Sequence, residues 1–166
     1  MITLISGTSR IGSNTQKVAL TYQKILTDAN VHHHLLDLST HSVLLKNESF
    51  QEIENNYLIP ADKFIFVIPE YNGSYPGIVK LMIDHSKVAP CWNHKKALLT
   101  GVSTGRAGNL RGMEHLTGSL MHMKITVHPN RLPISNVDKL IGDDHLISEN
   151  STLDAIKHQL AEFLKY

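Results

Sequence analysis

The sequence predicts a three-layer α/β domain: a doubly wound parallel sheet of five strands in the order 2-1-3-4-5, with helices on both faces. Three observations carry this. Short β-rich runs alternate with segments of helical periodicity along the chain, the pattern of a parallel sheet with crossover helices. The run Phe64–Ile68 is apolar at every position, as in a strand buried on both faces. The 166 residues contain no internal repeat, low-complexity tract or linker, so one domain accounts for the chain. Of the common doubly wound orders, 2-1-3-4-5 is the one that uses five strands.

In order, Ile2–Ser6 reads as the first strand, Gly7–Gly12 as a loop, and Ser13 as the start of a helix. Val18, Tyr22, Ile25 and Leu26 fall on one face of that helix. Val31–Asp37 reads as the second strand, and a helix is expected around Glu48–Leu58. Phe64–Ile68 is the third strand, stopped by Pro69. Pro76 suits the first turn of a helix whose apolar stripe is Ile78, Val79, Met82 and Ile83. Lys96–Val102 is the fourth strand. Leu110, Met113, Leu116 and Leu120 space a helix over Asn109–Leu120, and Lys124–His128 is a short fifth strand ended by Pro129. Residues 130–147 read as irregular, with Ile134–Ser148 either a lid or a surface loop. Ser151 is placed to cap a last helix that buries Leu153, Ile156, Leu160, Phe163 and Leu164. The expected core includes Leu4, Ile65, Val67, Leu98, Ile125, Leu153, Ile156 and Leu160, with the last helix beside the first.

Composition narrows the functional classes. Apolar residues make up 42% of the chain, enough for one sizeable core. Sixteen basic against fifteen acidic side chains leave a formal charge of +1, so no nucleic-acid partner is expected. No apolar run approaches membrane-spanning length, and none of the features of a signal peptide opens the chain; a cytoplasmic protein is expected. A lone cysteine, Cys91, allows neither an internal disulfide nor a four-cysteine zinc site. Successive residues of a strand point to opposite faces, so His32-His33-His34 cannot converge on one ion, and no metal site is expected.

Ligands of such sheets bind at the carboxyl ends of the strands, and the loops after strands one, three and four are the ones with unusual composition. The first, Gly7-Thr8-Ser9-Arg10-Ile11-Gly12-Ser13-Asn14-Thr15, joins a buried strand to a helix and is rich in hydroxyls. Free N–H groups at the helix start, with Arg10, make an anion cradle. Ser13 and Asn14 stand where a nucleotide-hydrolysing P-loop has Lys and Ser/Thr, which argues against an NTPase. The second, Pro69-Glu70-Tyr71-Asn72-Gly73-Ser74-Tyr75-Pro76-Gly77, is stiff and aromatic. It offers a planar ligand walls and fixed donors, or else it is a stiffened connection whose tyrosines cover the core. The third, Gly101–Asn109, lets a ligand approach the backbone closely, and Arg106 and Arg111 add positive charge.

Taken together, Thr-x-Arg-x-x-Ser (Thr8–Ser13), Pro-Glu-Tyr-Asn-x-Ser-x-Pro-Gly and Ser-x-Gly-x-x-Gly form an ordered set after strands one, three and four. The chain closely resembles the NAD(P)H-dependent FMN reductase family of flavodoxin-like quinone, azo-dye and chromate reductases. The resemblance runs from about Met1 to His128. Its most specific part is Pro69–Gly77 continued by Ile78–Asp84. It implies a flavodoxin-like fold in which Thr8, Arg10, Ser13 and Thr15, with Asn14 beside them, hold the FMN phosphate. By the same resemblance Pro69, Glu70, Tyr71 and Asn72 line the isoalloxazine, largely through main-chain groups, and Ser103 and Gly105 meet it from the third loop. Arg106 is expected to orient the nicotinamide nucleotide, and Tyr71 or Tyr75 to wall the acceptor pocket. The chain departs from the family in having Thr15 where the first loop usually has Asn, His85 where many members have Trp, and Arg106 where many are apolar or Gly.

The activity so implied is an FMN-dependent NAD(P)H oxidoreductase passing electrons to a quinone, azo compound, metal oxyanion or free flavin, with no single catalytic acid or base. The resemblance also implies a homodimer or homotetramer. FMN is expected rather than FAD, because the first loop offers one compact anion site. The alternative is a flavodoxin-type carrier or a flavin-binding scaffold; carriers are typically acidic, and +1 argues against that. Trp92 either covers the flavin, meets an interface or fills the core. Lys95 and Lys96 are expected to solvate the start of the fourth strand.

Overall fold

Successive side chains of the buried strands point to opposite faces of the sheet, and that alternation builds both cores. The computed structural model describes residues 1–166. It contains β1 (Ile2–Ser6), α1 (Asn14–Asp28), β2 (His33–Asp37), α2 (Glu48–Ile53), β3 (Lys63–Pro69), α3 (Gly77–His85), α4 (Val88–Cys91), β4 (Lys96–Val102), α5 (Leu110–His122), β5 (Thr126–Val127), β6 (Leu132–Ile134) and α6 (Asn150–Lys165). All strand pairs are parallel, and the order is β2-β1-β3-β4-β5. Ile2, Leu4, Ile65, Val67 and Leu98 point to one face, where Val18, Tyr22 and Leu26 of α1 meet Ile156, Leu160 and Phe163 of α6. Ile5, Phe64, Phe66, Ile68, Ala97 and Leu99 point to the other, against Phe50, Val79, Met82, Trp92, Met113, Leu116 and Leu120. The fold and the pairing of first and last helices are as the sequence predicts. Ile125 joins the second face rather than the first, and Leu153 is only partly buried.

Several local features differ from expectation. The fifth position of the sheet is filled by two segments, not one strand over Lys124–His128. β5 pairs Lys96 and Ala97, and β6 pairs Thr100, Gly101 and Val102 of the same neighbour. Pro129, with no N–H to donate, breaks the ladder, and residues 128–131 leave the sheet before the chain returns. Residues 134–148 are therefore no free lid: Ile134, Val137 and Ile147 are buried, and the Ile147 N–H donates to Thr21 Oγ1 at 3.0 Å. The expected helix over Glu48–Leu58 is α2 continued by a wider π turn over Glu54–Leu58. Glu149, not Ser151, caps α6; its carboxylate accepts the N–H groups of Ser151 and Thr152 at 3.1 and 2.7 Å. Lys95 does more than solvate a strand: its ammonium donates to the carbonyls of Leu58 and Ile59, satisfying the end of the π turn, while Lys96 donates to the Tyr166 carbonyl. Trp92 is a core residue, fully buried, with its indole N–H on Ser86 Oγ and its ring 4.9 Å from that of Phe64.

Between α1, α6 and β4 lies a buried polar knot. Tyr22 hydroxyl donates to Gln159 Oε1 at 2.6 Å and lies 2.7 Å from Thr100 Oγ1. The Gln159 amide in turn donates to the carbonyls of Leu99 and Asn130, holding the chain where it has left the sheet. Burial pushes the Tyr22 hydroxyl above the ordinary tyrosine range. No helix is long and apolar enough to cross a membrane.

Candidate flavin site

The carboxyl ends of β1, β3 and β4 converge on one open cleft of about 660 Å³. Every residue expected to contact the flavin lines it except Thr8: Arg10, Ser13, Asn14 and Thr15 from the first loop, Pro69, Glu70, Tyr71 and Asn72 from the second, Ser103 and Gly105 from the third. Ile11, Gly12, Gly73, Val102, Thr104 and Val137 complete the wall. Most of these neighbour predicted residues, but Val137 carries no local signal. It arrives through β6, and its N–H donates to the Ser103 carbonyl at 3.1 Å.

The first loop is built as an anion site. Ser13 is the N-cap of α1, with Oγ accepting from the Gln16 N–H at 3.2 Å, which leaves its own O–H free to donate. Gly12, at φ +69, turns the chain into the helix, a conformation costly for a side-chain-bearing residue; its N–H donates to Gln16 Oε1 at 2.8 Å. The N–H groups of Ile11, Ser13, Asn14 and Thr15 meet no protein acceptor. At the positive end of a 15-residue helix, with Arg10 alongside, they form a ready site for a phosphate. Thr15, 3% exposed, faces the same space.

Thr8 stands behind this site. It is fully buried; its Oγ1 lies 2.7 Å from the Tyr71 hydroxyl and accepts from the Arg10 N–H at 3.1 Å. Its hydroxyl joins the first and second loops behind the cleft rather than on its wall. The Arg10 guanidinium carbon sits 4.4 Å above the Tyr71 ring, a cation–π contact across the same junction.

The second loop closes as a two-residue turn. Tyr71 and Ser74 exchange backbone hydrogen bonds of 2.9 and 3.2 Å. Asn72 at φ +53 and Gly73 at φ +79 are its centre, the pairing of residue types that tolerates two left-handed positions. The N–H groups of Asn72 and Gly73, and those of Thr104 and Gly105 on the third loop, meet no protein acceptor, so both walls present backbone donors to the cleft. Ser103 shapes the third loop: its Oγ donates to the Gly105 carbonyl and accepts from the Gly108 N–H, each at 3.0 Å.

Two other residues expected at the site, Tyr75 and Arg106, do not line the cleft. Tyr75 turns away and bonds Ser119 Oγ at 3.1 Å. Arg106 is exposed on the third loop without lining the cleft. Arg111 is a second cation beside the second loop, with Arg10: a Cβ at Gly73 would lie 3.0 Å from its Nη1. His85 packs edge-on against Phe50 at 5.6 Å and lines no part of the cleft. Cys91 is buried, and burial with the Glu54 carboxylate beside it pushes its thiol up to about 12, so it is inert.

These residues fit FMN. The free N–H groups and the Ser13 hydroxyl suit a phosphate, and the backbone donors of the two walls suit the polar edge of a flavin ring. Comparison with known proteins agrees. An NAD(P)H-dependent FMN reductase of Pseudomonas aeruginosa is 31% identical over 105 residues, 60% of this chain and 56% of that one. One of Schizosaccharomyces pombe is 30% identical over 105 residues, 62% and 51% of the two chains. A 2-hydroxy-1,4-benzoquinone reductase of Burkholderia is 26% identical over 96 residues, 55% and 52%. The chain thus spans about half the length of the curated relatives it matches. The flavoenzyme NAD(P)H:(acceptor) oxidoreductase FerB of Paracoccus denitrificans shares the fold, with TM-score 0.80, 20% identity and coverage of 99% and 95%. An archaeal flavodoxin does so too, with TM-score 0.65, 16% identity and full coverage of both chains. With residues 1–139 matching the description NADPH-dependent FMN reductase, and the three loops of that match meeting at one cleft, the chain belongs to the NADPH-dependent FMN reductase family.

Proposed function

We propose that this chain is an FMN-dependent NAD(P)H oxidoreductase that delivers electrons to a small-molecule acceptor of the quinone class. The observation that carries the reading is the convergence of an unliganded-by-protein anion cradle at α1 with two backbone-donor walls in one cleft. FMN held there would supply the redox chemistry, a two-electron transfer between nicotinamide and acceptor.

The protein's part is placement. The helix start and the Arg10 and Ser13 side chains anchor the phosphate end. Tyr71 is held from below by Thr8 and from above by Arg10, which fixes one wall of the ring site. The cleft is open on its outer side, leaving room for a second planar molecule to stack. Positioning of this kind governs rate, since a displacement of about 1 Å can cost on the order of a hundredfold. Support for a quinone comes from the benzoquinone reductase among the relatives. A cytoplasmic homodimer or homotetramer is part of the reading; Ile11, 80% exposed at the cleft's rim, is an apolar side chain a second copy would cover.

The test is a titration of the apoprotein with FMN, FAD and riboflavin, followed by turnover with NADH or NADPH and benzoquinone. The reading requires tightest binding of FMN and quinone-dependent oxidation of at least one nucleotide. Preferential binding of FAD, or FMN binding without turnover on any acceptor, contradicts it.

A further inference from the structure

Asn109 occupies the N-cap position of α5, where an asparagine ordinarily accepts a backbone N–H of the first turn. Here it does not. Its backbone is left-handed, φ +63 and ψ +32, and its side chain makes no capping bond. The amide instead points back across the sheet. Nδ2 donates to the Ile68 carbonyl at 3.1 Å and to the Pro69 carbonyl at 2.8 Å. Two carbonyl acceptors fix which end is the NH2 group. The residue is fully buried, and its Oδ1 has no partner. A side chain that forgoes its local cap and leaves an acceptor unpaired is held there by what it reaches.

What it reaches is the exit of β3, where the second loop begins. Pro69 lines the cleft, and Glu70 and Tyr71 follow it. Two glycines make the reach possible. A Cβ on Gly112 would stand 2.0 Å from Asn109 Oδ1, and one on Gly101 would stand 2.1 Å from the Gly108 carbonyl and 3.1 Å from Asn109 Cβ. The third loop is thus pressed onto β4, and the Asn109 amide joins it to the exit of β3 beside the Glu70 N–H bond to the Val102 carbonyl.

Resting on the assignment of the cleft to FMN, we infer that Asn109 is a positioning residue for the flavin ring, setting the distance between the second and third loops that form its two walls. It touches no part of the phosphate loop, so its effect belongs to the ring alone.

Two variants separate this from a purely structural role. Asn109→Gly keeps the left-handed backbone, which glycine adopts freely, and deletes the amide. Asn109→Asp keeps the shape and sets an oxygen against two carbonyl oxygens. Each is checked for folding by far-UV circular dichroism, then titrated with FMN and with riboflavin. The visible circular dichroism of the bound flavin is recorded as a readout of ring placement.

The inference predicts roughly tenfold weaker binding of both flavins, the scale of one lost hydrogen bond. It also predicts an unchanged ratio of riboflavin to FMN dissociation constants and an altered flavin dichroism. Asn109→Asp supplies the same comparison if the glycine variant does not fold. Wild-type affinities and wild-type dichroism in either folded variant would overturn it. A wild-type protein that binds neither flavin would overturn the FMN assignment, and this inference with it.

Discussion

The hydroxyls of Thr8 and Tyr71 stand 2.7 Å apart, one from the loop after β1 and one from the loop after β3. This contact joins the anion cradle to the ring wall below the surface of the cleft, while Arg10 over the Tyr71 ring joins them above it. Thr8→Val keeps the shape and deletes the hydroxyl, leaving the Tyr71 hydroxyl and the Arg10 N–H without that partner. Stability should fall by about 1–3 kcal/mol, and FMN and riboflavin affinity should fall together. Chemical denaturation and flavin fluorescence titration of the same preparation check this.

Arg10→Ala combined with Ser13→Ala should act mainly on the phosphate, with a smaller effect on the ring wall because Arg10 also covers Tyr71. Each charge-assisted contact is worth about 1.5–3 kcal/mol, so FMN binding should weaken by at least about tenfold. Riboflavin, which lacks the phosphate, should lose much less, only what the Arg10 contact with Tyr71 contributes. Comparing the two dissociation constants locates the phosphate.

Gln159 sits at the centre of the buried knot that Tyr22, Thr100, Leu99 and Asn130 share. Gln159→Leu removes every partner it offers while filling the space with apolar atoms. The loss should be on the order of 3 kcal/mol, because several buried polar groups become unpaired at once. Thermal melting of the variant measures it. Tyr22→Phe should cost less, since it removes one donor and leaves the Gln159 amide bonded.

The cap on α6 predicts a pH dependence. Glu149 accepts hydrogen bonds from Ser151 and Thr152, which hold its carboxyl down to about 2 from an ordinary 4.5. A carboxyl depressed in the folded state stabilises above the unfolded value and loses that contribution as pH falls through the folded one. Glu149→Ala should therefore melt below the wild type at neutral pH, with the gap closing between pH 4.5 and 2. Melting curves across that range decide the matter.

Much of this was legible in the residues. Strands buried on both faces are written into the continuous apolar run Phe64–Ile68, and the three ligand loops into their unusual composition. What was not legible depends on distant partners. The Lys124–His128 run looks like a whole strand, yet Pro129 halves it, and only the register of β4 shows that Leu132–Ile134 completes the edge. That return brings Val137 to the cleft. Ser151 has the composition of a cap, but Glu149 two residues earlier reaches the same N–H groups with a charge. Asn109 looks like a helix cap as well; its true partners lie 40 and 41 residues away in the chain. Thr8, Tyr75 and Arg106 were placed by their neighbourhood in a motif, which says nothing about which way a side chain turns.

The central claim is that the protein holds FMN where a nicotinamide nucleotide can reduce it. The most direct test is anaerobic mixing of the FMN-loaded protein with NADH and, separately, with NADPH, following the visible flavin absorbance. The account predicts prompt bleaching by at least one nucleotide and recovery of the absorbance when a quinone is added. Absorbance that stays unchanged with both nucleotides would contradict the account and leave a flavin-binding protein without an NAD(P)H reaction of its own.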